Sequence, residues 1–546
     1  MGVDVESAAT SQTAVPAEQT LFVRKASGLV KGWSSTDGFR YAFISTNFAG
    51  LGLFGFAYGA FIPGASMFWA IVITAAFMVL EIVTYAALVS AMPRAGGDYI
   101  WQSRIFHSTV GFVIAITAWW LIIFQWTPIY ASISLSLFIK PVVRILGADG
   151  VANWLGTPTG IFVSSLVVIA VVTYLCGMGI KRYAIYQKWA MWIGLGGLAV
   201  GAIILLVTSR AGFIAAFDRG AVKYYGPSAA HAYATMVKSY GAGQPHSPFA
   251  GSFWQTLRMV PFMLFWLIWP VWGATMYGEV RGAKNFRSNI YQMGGALFAE
   301  AAMGLVFLLL VAKTMGYHFF MSTGMASYDP ASILKGDWVS PVAMVAWVVN
   351  NAAFQVILLL AVFMFLFAFW GTLYLSSTRA IFAAAFDRIL PEKAAAVSRG
   401  GVPWVALLLM AVPSVLASAL YAYSSWFAKL TLDSTLVFAV MFIVSGVGLM
   451  IMPWRAKGIW ASSAVPKAKI AGVPVMSIIA AGYAAVLIFT LVMWLKDAVY
   501  GVNNSKSLIY LGFLYLGALV IWLVAWVTRR RQGMDLETVA KEIPVE

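Results

Sequence analysis

The chain is poor in what soluble enzymes use most. Only 10% of its 546 residues are charged, against roughly 25% in a soluble domain. A single cysteine, Cys176, lies in an apolar run, which excludes an intramolecular disulfide or thiolate metal site and leaves a small packing residue. The four histidines, His107, His231, His246 and His318, fall between the apolar runs, which removes the facing imidazoles of an intramembrane haem. No GxxxxGK[ST] loop follows a strand, so nucleotide drive within this chain is not expected. No grouping of Ser, His and Asp suggests catalysis, and no cofactor or metal is expected. The opening MGVDVESAATSQTAVPAEQT is polar and acidic, with its first basic residue at Arg24. It lacks the order of a cleavable signal and is expected to be a cytosolic tail. The net charge of +16 comes from Lys and Arg scattered singly, which argues against nucleic acid as a partner.

What is abundant is apolar sequence: 61% of residues are hydrophobic and the mean hydropathy is +0.83. Twelve runs predict an all-α integral membrane protein, with spans near 39–60, 66–91, 110–139, 160–180, 187–207, 259–278, 290–312, 353–376, 403–423, 434–453, 474–495 and 508–528. With a cytosolic start, inner segments hold 24 Lys and Arg and outer ones 12. The positive-inside bias therefore places both termini in the cytosol and the chain in the cytoplasmic membrane. Residues 208–258 and 313–352 are long outer segments, suited to a cap or gate. Asp433 begins span 10 near the outer surface and is expected to be solvated. The C-terminal tail 529–546 opens on Arg529–Arg531, which suits anionic inner-leaflet lipid.

Two spans carry helix breakers at mid-membrane. Span 6 contains WPVWG, with Pro270 and Gly273; span 1 contains Ser45, Thr46 and Asn47 followed by Gly50, Gly52 and Gly55. Irregular backbone is tolerated at that depth where it lines a cavity, and paired interrupted spans point to an inverted repeat. The expected organisation is a tail 1–38, a first repeat 39–207, an outer loop 208–258, a second repeat 259–453, two appended spans 454–528 and the tail 529–546. A broken helix offers free N–H groups at one end and free carbonyls at the other, which together match an α-amino acid's carboxylate and ammonium. The blander alternative is that these glycines only permit close helix packing. Trp266, Trp269 and Trp272 of span 6, with Trp119, Trp120 and Phe124 of span 3, are candidate pocket walls, or ordinary packing. Glu81 and Glu300 sit about 15 Å deep in spans 2 and 7. A carboxylate there needs a partner or a proton, so each is either an ion-coupling group or a structural acceptor for broken-helix N–H groups.

Three inner loops resemble those of the amino acid–polyamine–organocation permease superfamily. MPRAGGDYIWQSRIFHSTVGF, residues 92–112, is similar to its Pro-Arg-x-Gly-Gly-x-Tyr loop. TRAIFAAAFDRILP at 378–391 has its Arg-to-Asp-to-Pro spacing, and SRGGVP at 398–403 and GEVRG at 278–282 resemble its segments beside spans 9 and 6. The resemblance implies a five-plus-five inverted-repeat, leucine-transporter-type fold and secondary transport, most often of amino acids. In these loops Arg94, Asp98, Arg379 and Asp387 are candidates for an inner gate, with Asp98 or Asp387 pairing with a base and Arg379 joining them. Some proton-coupled members carry a lysine midway along span 5. Here WAMWIGLGGLAVG has none, and Gly194 takes that place. Coupling is then left to Glu81, Glu300, sodium or exchange, with Ser376 and Ser377 as a candidate sodium site. The expected function is a secondary transporter of an amino acid or related amine. The alternatives are a polyamine or organic-cation carrier and a non-transporting scaffold or sensor of the same fold. Nothing in the sequence sets the substrate or the oligomeric state.

Overall fold

Eleven of the twelve apolar runs form helical stretches long and apolar enough to cross a bilayer in the computed structural model, among them Met67–Ala91, Ser108–Ile145, Phe253–Met276, Phe286–Ala326 and Ala352–Phe386. The structure describes residues 29, 31–329, 331–334, 340–398, 400–430 and 434–541. The tail before residue 29, Asp433 and the last five residues lie outside them, and the ordinal span numbers are kept below.

The first run is not among the eleven because it is interrupted. Helix Ser35–Thr46 starts on a capping box between Ser34 and Asp37 and stops at Asn47, which adopts left-handed backbone (φ 54°). That is a conformation asparagine tolerates better than most residues. A π turn Phe48–Gly52, a short helix Leu53–Ala57 and a 3-10 turn Tyr58–Phe61 follow. Spans 3 and 7 run past their expected ends at 139 and 312, to Ile145 and Ala326, through π turns at Leu135–Ile139 and Ala312–Gly316.

Two faces differ. One carries the start of span 1, helix Asp98–Ile105 and the end of span 8. The other carries helices Arg210–Tyr225, Ala232–Tyr240 and Pro341–Val348 from the two long loops. Before span 1, Trp33 makes a parallel bridge to Val280 after span 6, and its indole N–H donates to the Ile180 carbonyl at 3.0 Å. This joins the starts of spans 1 and 5 to the end of span 6.

Span 5 packs on span 8 at backbone distance. A Cβ on Gly194 would lie 2.6 Å from Phe365 Cβ and 2.8 Å from its backbone nitrogen. No long side chain fits at Gly194 between the two helices. Gly194→Leu is expected to cost about 3 kcal/mol by overpacking and to lower the thermal unfolding midpoint in detergent. Gly196→Leu, at a position with no atom within 4 Å, is expected to leave it unchanged.

Candidate functional site

In span 6 the α-helix Phe253–Leu267 gives way to a 3-10 stretch, Trp269–Met276, with every residue buried. Eight residues of 3-10 is long for a form that seldom exceeds four, and such stretches mark hinges. The two interrupted spans meet here. Gly273 lies against Tyr41 of span 1, so that a Cβ would stand 3.1 Å from the ring. The Tyr41 hydroxyl donates to the Thr372 carbonyl of span 8 at 3.1 Å and shares a 2.6 Å bond with the Ser376 hydroxyl. Trp272 ties into the same turn: its indole N–H donates to the Thr372 carbonyl at 3.0 Å, and its carbonyl accepts from Ser376 at 3.1 Å.

Around the break in span 1, the Asn47 Oδ1 accepts from the Gly50 N–H at 3.0 Å, which fixes the amide orientation and aims Nδ2 elsewhere. Asn47 Nδ2 and Ser45 Oγ are buried with no hydrogen-bond partner among the described residues. Thr46 bonds back to the Ala42 carbonyl at 2.9 Å. Gly52 is packed on Phe48 and Trp266, whose atoms would lie 2.5 and 3.0 Å from its Cβ. Trp266 is wedged between that glycine and Gly304 of span 7, where a Cβ would stand 2.2 Å from the indole.

Aromatic rings fill the centre. Trp272 has its ring centroid 4.6 Å from Trp119, 5.8 Å from Trp126, 5.3 Å from Trp269 and 5.2 Å from Phe438, each ring buried. Of the expected wall residues on span 3, Trp120 and Phe124 are only half-buried. Trp120 turns its indole N–H to the Leu409 carbonyl of span 9 at 2.9 Å. Trp126, seven residues beyond Trp119 and so on its side of the helix, takes the expected place. That spacing was the signal to follow. Phe438 of span 10 had no distinguishing feature in sequence.

The space between the two breaks, expected to be an open pocket, is filled by buried side chains among the described residues. Two cavities lie nearer the face of the long loops. One, of about 310 Å³, is lined by Phe54 and Ala57 of span 1, Lys140 and Arg144 of span 3, Tyr225 and Trp347. The other, of about 230 Å³, is lined by Tyr58, Phe262, Phe265, Tyr328, Trp494 and Tyr500. Neither lining includes any of Ser45–Gly52 or Trp269–Gly273, because the tryptophan cluster occupies the space below them.

The mid-membrane carboxylates have different surroundings. Glu300 accepts from the Trp266 indole, which packs against Gly52 beside the Asn47 break, at 3.1 Å. Glu81 accepts from Tyr483 of span 11 at 2.8 Å. Each has one buried oxygen without a partner among the described residues. At the candidate sodium site the hydroxyls serve separate neighbours: Ser376 the break in span 6, and Ser377 the Leu373 carbonyl of its own helix at 2.8 Å.

The opposite face carries two buried ion pairs: Asp387 has the kind of basic partner expected of it, while Arg379 joins a different carboxylate. Arg379 grips Glu279, with Nε to Oε1 at 2.6 Å and Nη2 to Oε2 at 3.0 Å. Asp387 pairs with Arg104, Nη2 to Oδ1 at 2.9 Å, and accepts from the Tyr99 hydroxyl at 2.8 Å. Arg379 and Asp387 thus serve two separate bridges. Asp98 has no basic partner among the described residues. It accepts from the Tyr85 hydroxyl at 2.6 Å, the Ser445 hydroxyl at 2.7 Å and the Trp119 indole at 3.1 Å. Burial pushes its carboxyl above the ordinary range, and these bonds pull it partly back. Arg94 stands outside both bridges, beside the Pro93 carbonyl at 3.2 Å, in a cleft with Lys31 and Tyr277.

Comparison with known proteins agrees with the fold. No curated protein sequence matches the chain. Among solved structures it is similar to the crystal structure of MhsT in complex with L-phenylalanine, with a TM-score of 0.55, 12% identity, and coverage of 85% of this chain and 99% of that one. At that identity the likeness shows the fold alone, which is the leucine-transporter type. The family described as amino acid permease matches residues 37–522. The chain belongs to the amino acid permease family, and is a transporter rather than an enzyme.

Proposed function

We propose that the protein is a secondary transporter that moves an amino acid or related amine across the cytoplasmic membrane by alternating access. The observation that carries this reading is the pair of interrupted spans, one of which leaves Asn47 Nδ2 and Ser45 Oγ buried and unbonded among the described residues. A buried polar group left without a partner costs about 1–3 kcal/mol, a cost that a bound carboxylate removes by accepting from both. The ammonium of the same substrate then meets the carbonyls freed where each helix stops.

In this reading residues 39–207 and 259–453 are the two repeats, residues 454–528 are appended, and the interrupted first span is the twelfth crossing. Both termini lie in the cytosol, so the ion-paired face is the inner gate and the cavities open outward. The structure is then the inward-closed state. Substrate enters from the cavity side, and the tryptophan cluster yields to admit its side chain. Glu300 acts structurally, holding the indole of Trp266 that packs on Gly52 beside the break.

A second reading, an amine or polyamine carrier, is favoured by the aromatic cluster, since ring faces attract cations. Proteoliposome uptake with a competition panel of L-amino acids, monoamines and putrescine distinguishes them. Saturable uptake blocked by amino acids and indifferent to putrescine is expected. Block by putrescine alone would support the second reading, and no saturable flux would point to a scaffold.

A further inference from the structure

Asp98 is given no part in the ion pairs that close the inner face, yet it touches span 6 by two routes. Through the backbone, Gly96 donates its N–H to the Thr275 carbonyl at 2.9 Å. Gly97, at φ +46°, is so close that a Cβ would lie 2.9 Å from the Thr275 nitrogen. Through a side chain, Asp98 Oδ2 holds the indole of Trp119, whose ring is 4.6 Å from Trp272 in the 3-10 stretch.

The groups around Asp98 leave it without a countercharge. From span 2 it faces Tyr85 and, farther along, Glu81; from span 11, Tyr483. From span 10 it faces Ser445, which also accepts from Gln102 at 3.0 Å. On its own helix Tyr99 and Arg104 are turned to Asp387 of span 8, and Arg379 of that span to Glu279. On the C-terminal helix, Glu537 bonds the Ser108 N–H and faces His107. All three donors to Asp98 are neutral.

We propose that Asp98 is the proton-binding carboxylate of the transport cycle, and that Trp119 transmits its state to Trp272 and the interrupted sixth span. The inference rests on the transporter reading above and names its coupling ion. An indole N–H can only donate. Ionised Asp98 holds it by a charge-assisted bond. A proton on Oδ2 leaves that oxygen only a weak, neutral acceptor for the indole. A proton on Oδ1 is met by the Tyr85 or Ser445 hydroxyl rotating to accept, and the indole keeps only a neutral, weaker bond. Either way protonation loosens the hold on the ring that abuts Trp272. Glu81 is a poorer candidate: it has one donor where Asp98 has three, so of the two it is the less able to hold charge. Nothing is oxidised or reduced; the proton binds Asp98 from one side and leaves to the other.

The test uses the full chain in proteoliposomes with a radiolabelled mixture of the twenty L-amino acids, comparing counterflow without a gradient to accumulation driven by an inward gradient of one pH unit. One proton per solute gives about tenfold accumulation. The wild type is expected to approach this. Asp98→Asn is expected to keep measurable counterflow and lose gradient-driven accumulation. Trp119→Phe, which keeps a six-membered aromatic ring and removes the N–H, is expected to lose accumulation relative to the counterflow it retains, and it serves as the second variant if Asp98→Asn fails to fold. Accumulation at the wild-type level in either variant overturns the proposal, as does wild-type uptake indifferent to the gradient. Absence of wild-type counterflow overturns the amino acid reading on which the proposal rests and turns the case to the amine carrier.

Discussion

Arg379→Met is expected to unlatch the inner face and raise the rate at which a thiol reagent reaches it by about a hundredfold. Arg379 and Glu279 are both buried, with side chains 3% and 1% exposed. Removing one member of such a pair strands the other charge and costs about 3–5 kcal/mol. The strain falls on the closed state, because opening lets water reach Glu279. A shift of about 3 kcal/mol is more than a hundredfold in the open-to-closed ratio. The pair also anchors more than itself, since Glu279 offers its carbonyl to the Trp33 N–H at 3.1 Å and so holds the segment before span 1. The measurement is modification of Thr275→Cys by a membrane-impermeant maleimide applied from the cytosolic side. The background is low, because the one native cysteine, Cys176, is buried. Combining Arg379→Met with Glu279→Gln removes the stranded charge and is expected to restore most of the protection. A double variant as leaky as the single one would show that the latch lies elsewhere, with Arg104 and Asp387 next to examine.

These pairings mark the limit of what the sequence disclosed. Helix positions follow from local composition, and Pro270, Gly273 and the polar patch before Gly50 locate the irregular backbone to within a few residues. The form of the break is less local. Span 1 turns at Asn47 rather than at a glycine, because an asparagine can enter left-handed backbone and bond Gly50 with its own side chain. Partnership across helices is less accessible still. Arg379 and Asp387 lie eight residues apart, on similar sides of one helix, yet their partners come from residues 279 and 104, brought close only by the packing of three other spans. The same holds for Glu300, whose bond to the Trp266 indole depends on how spans 6 and 7 pack.

Gly273→Leu is expected to abolish substrate binding while the protein still inserts and folds. The position has room for no more than a Cβ, 3.1 Å from the Tyr41 ring. Three further carbons drive Tyr41 from the Thr372 carbonyl and the Ser376 hydroxyl, the contacts that hold spans 1, 6 and 8 in register. Overpacking of this kind costs about 1–3 kcal/mol. If it falls on the bound geometry, about 3 kcal/mol is a loss of more than a hundredfold in affinity. Insertion is unaffected, since leucine makes the span more apolar. Gly55→Leu, in the other interrupted span and at a position where a Cβ would meet nothing within 4 Å beyond its own helix, is expected to bind normally. Thermal stabilisation by an amino acid library reads the difference directly, because a ligand for the folded state raises the apparent midpoint by mass action. Ligand at a hundred times its dissociation constant stabilises the wild type by about 2.7 kcal/mol. After a hundredfold loss the same concentration yields about 0.4 kcal/mol, a shift close to the noise of the method. An undiminished shift in Gly273→Leu would move the substrate away from the interrupted spans, toward the cavity lined by Lys140 and Arg144.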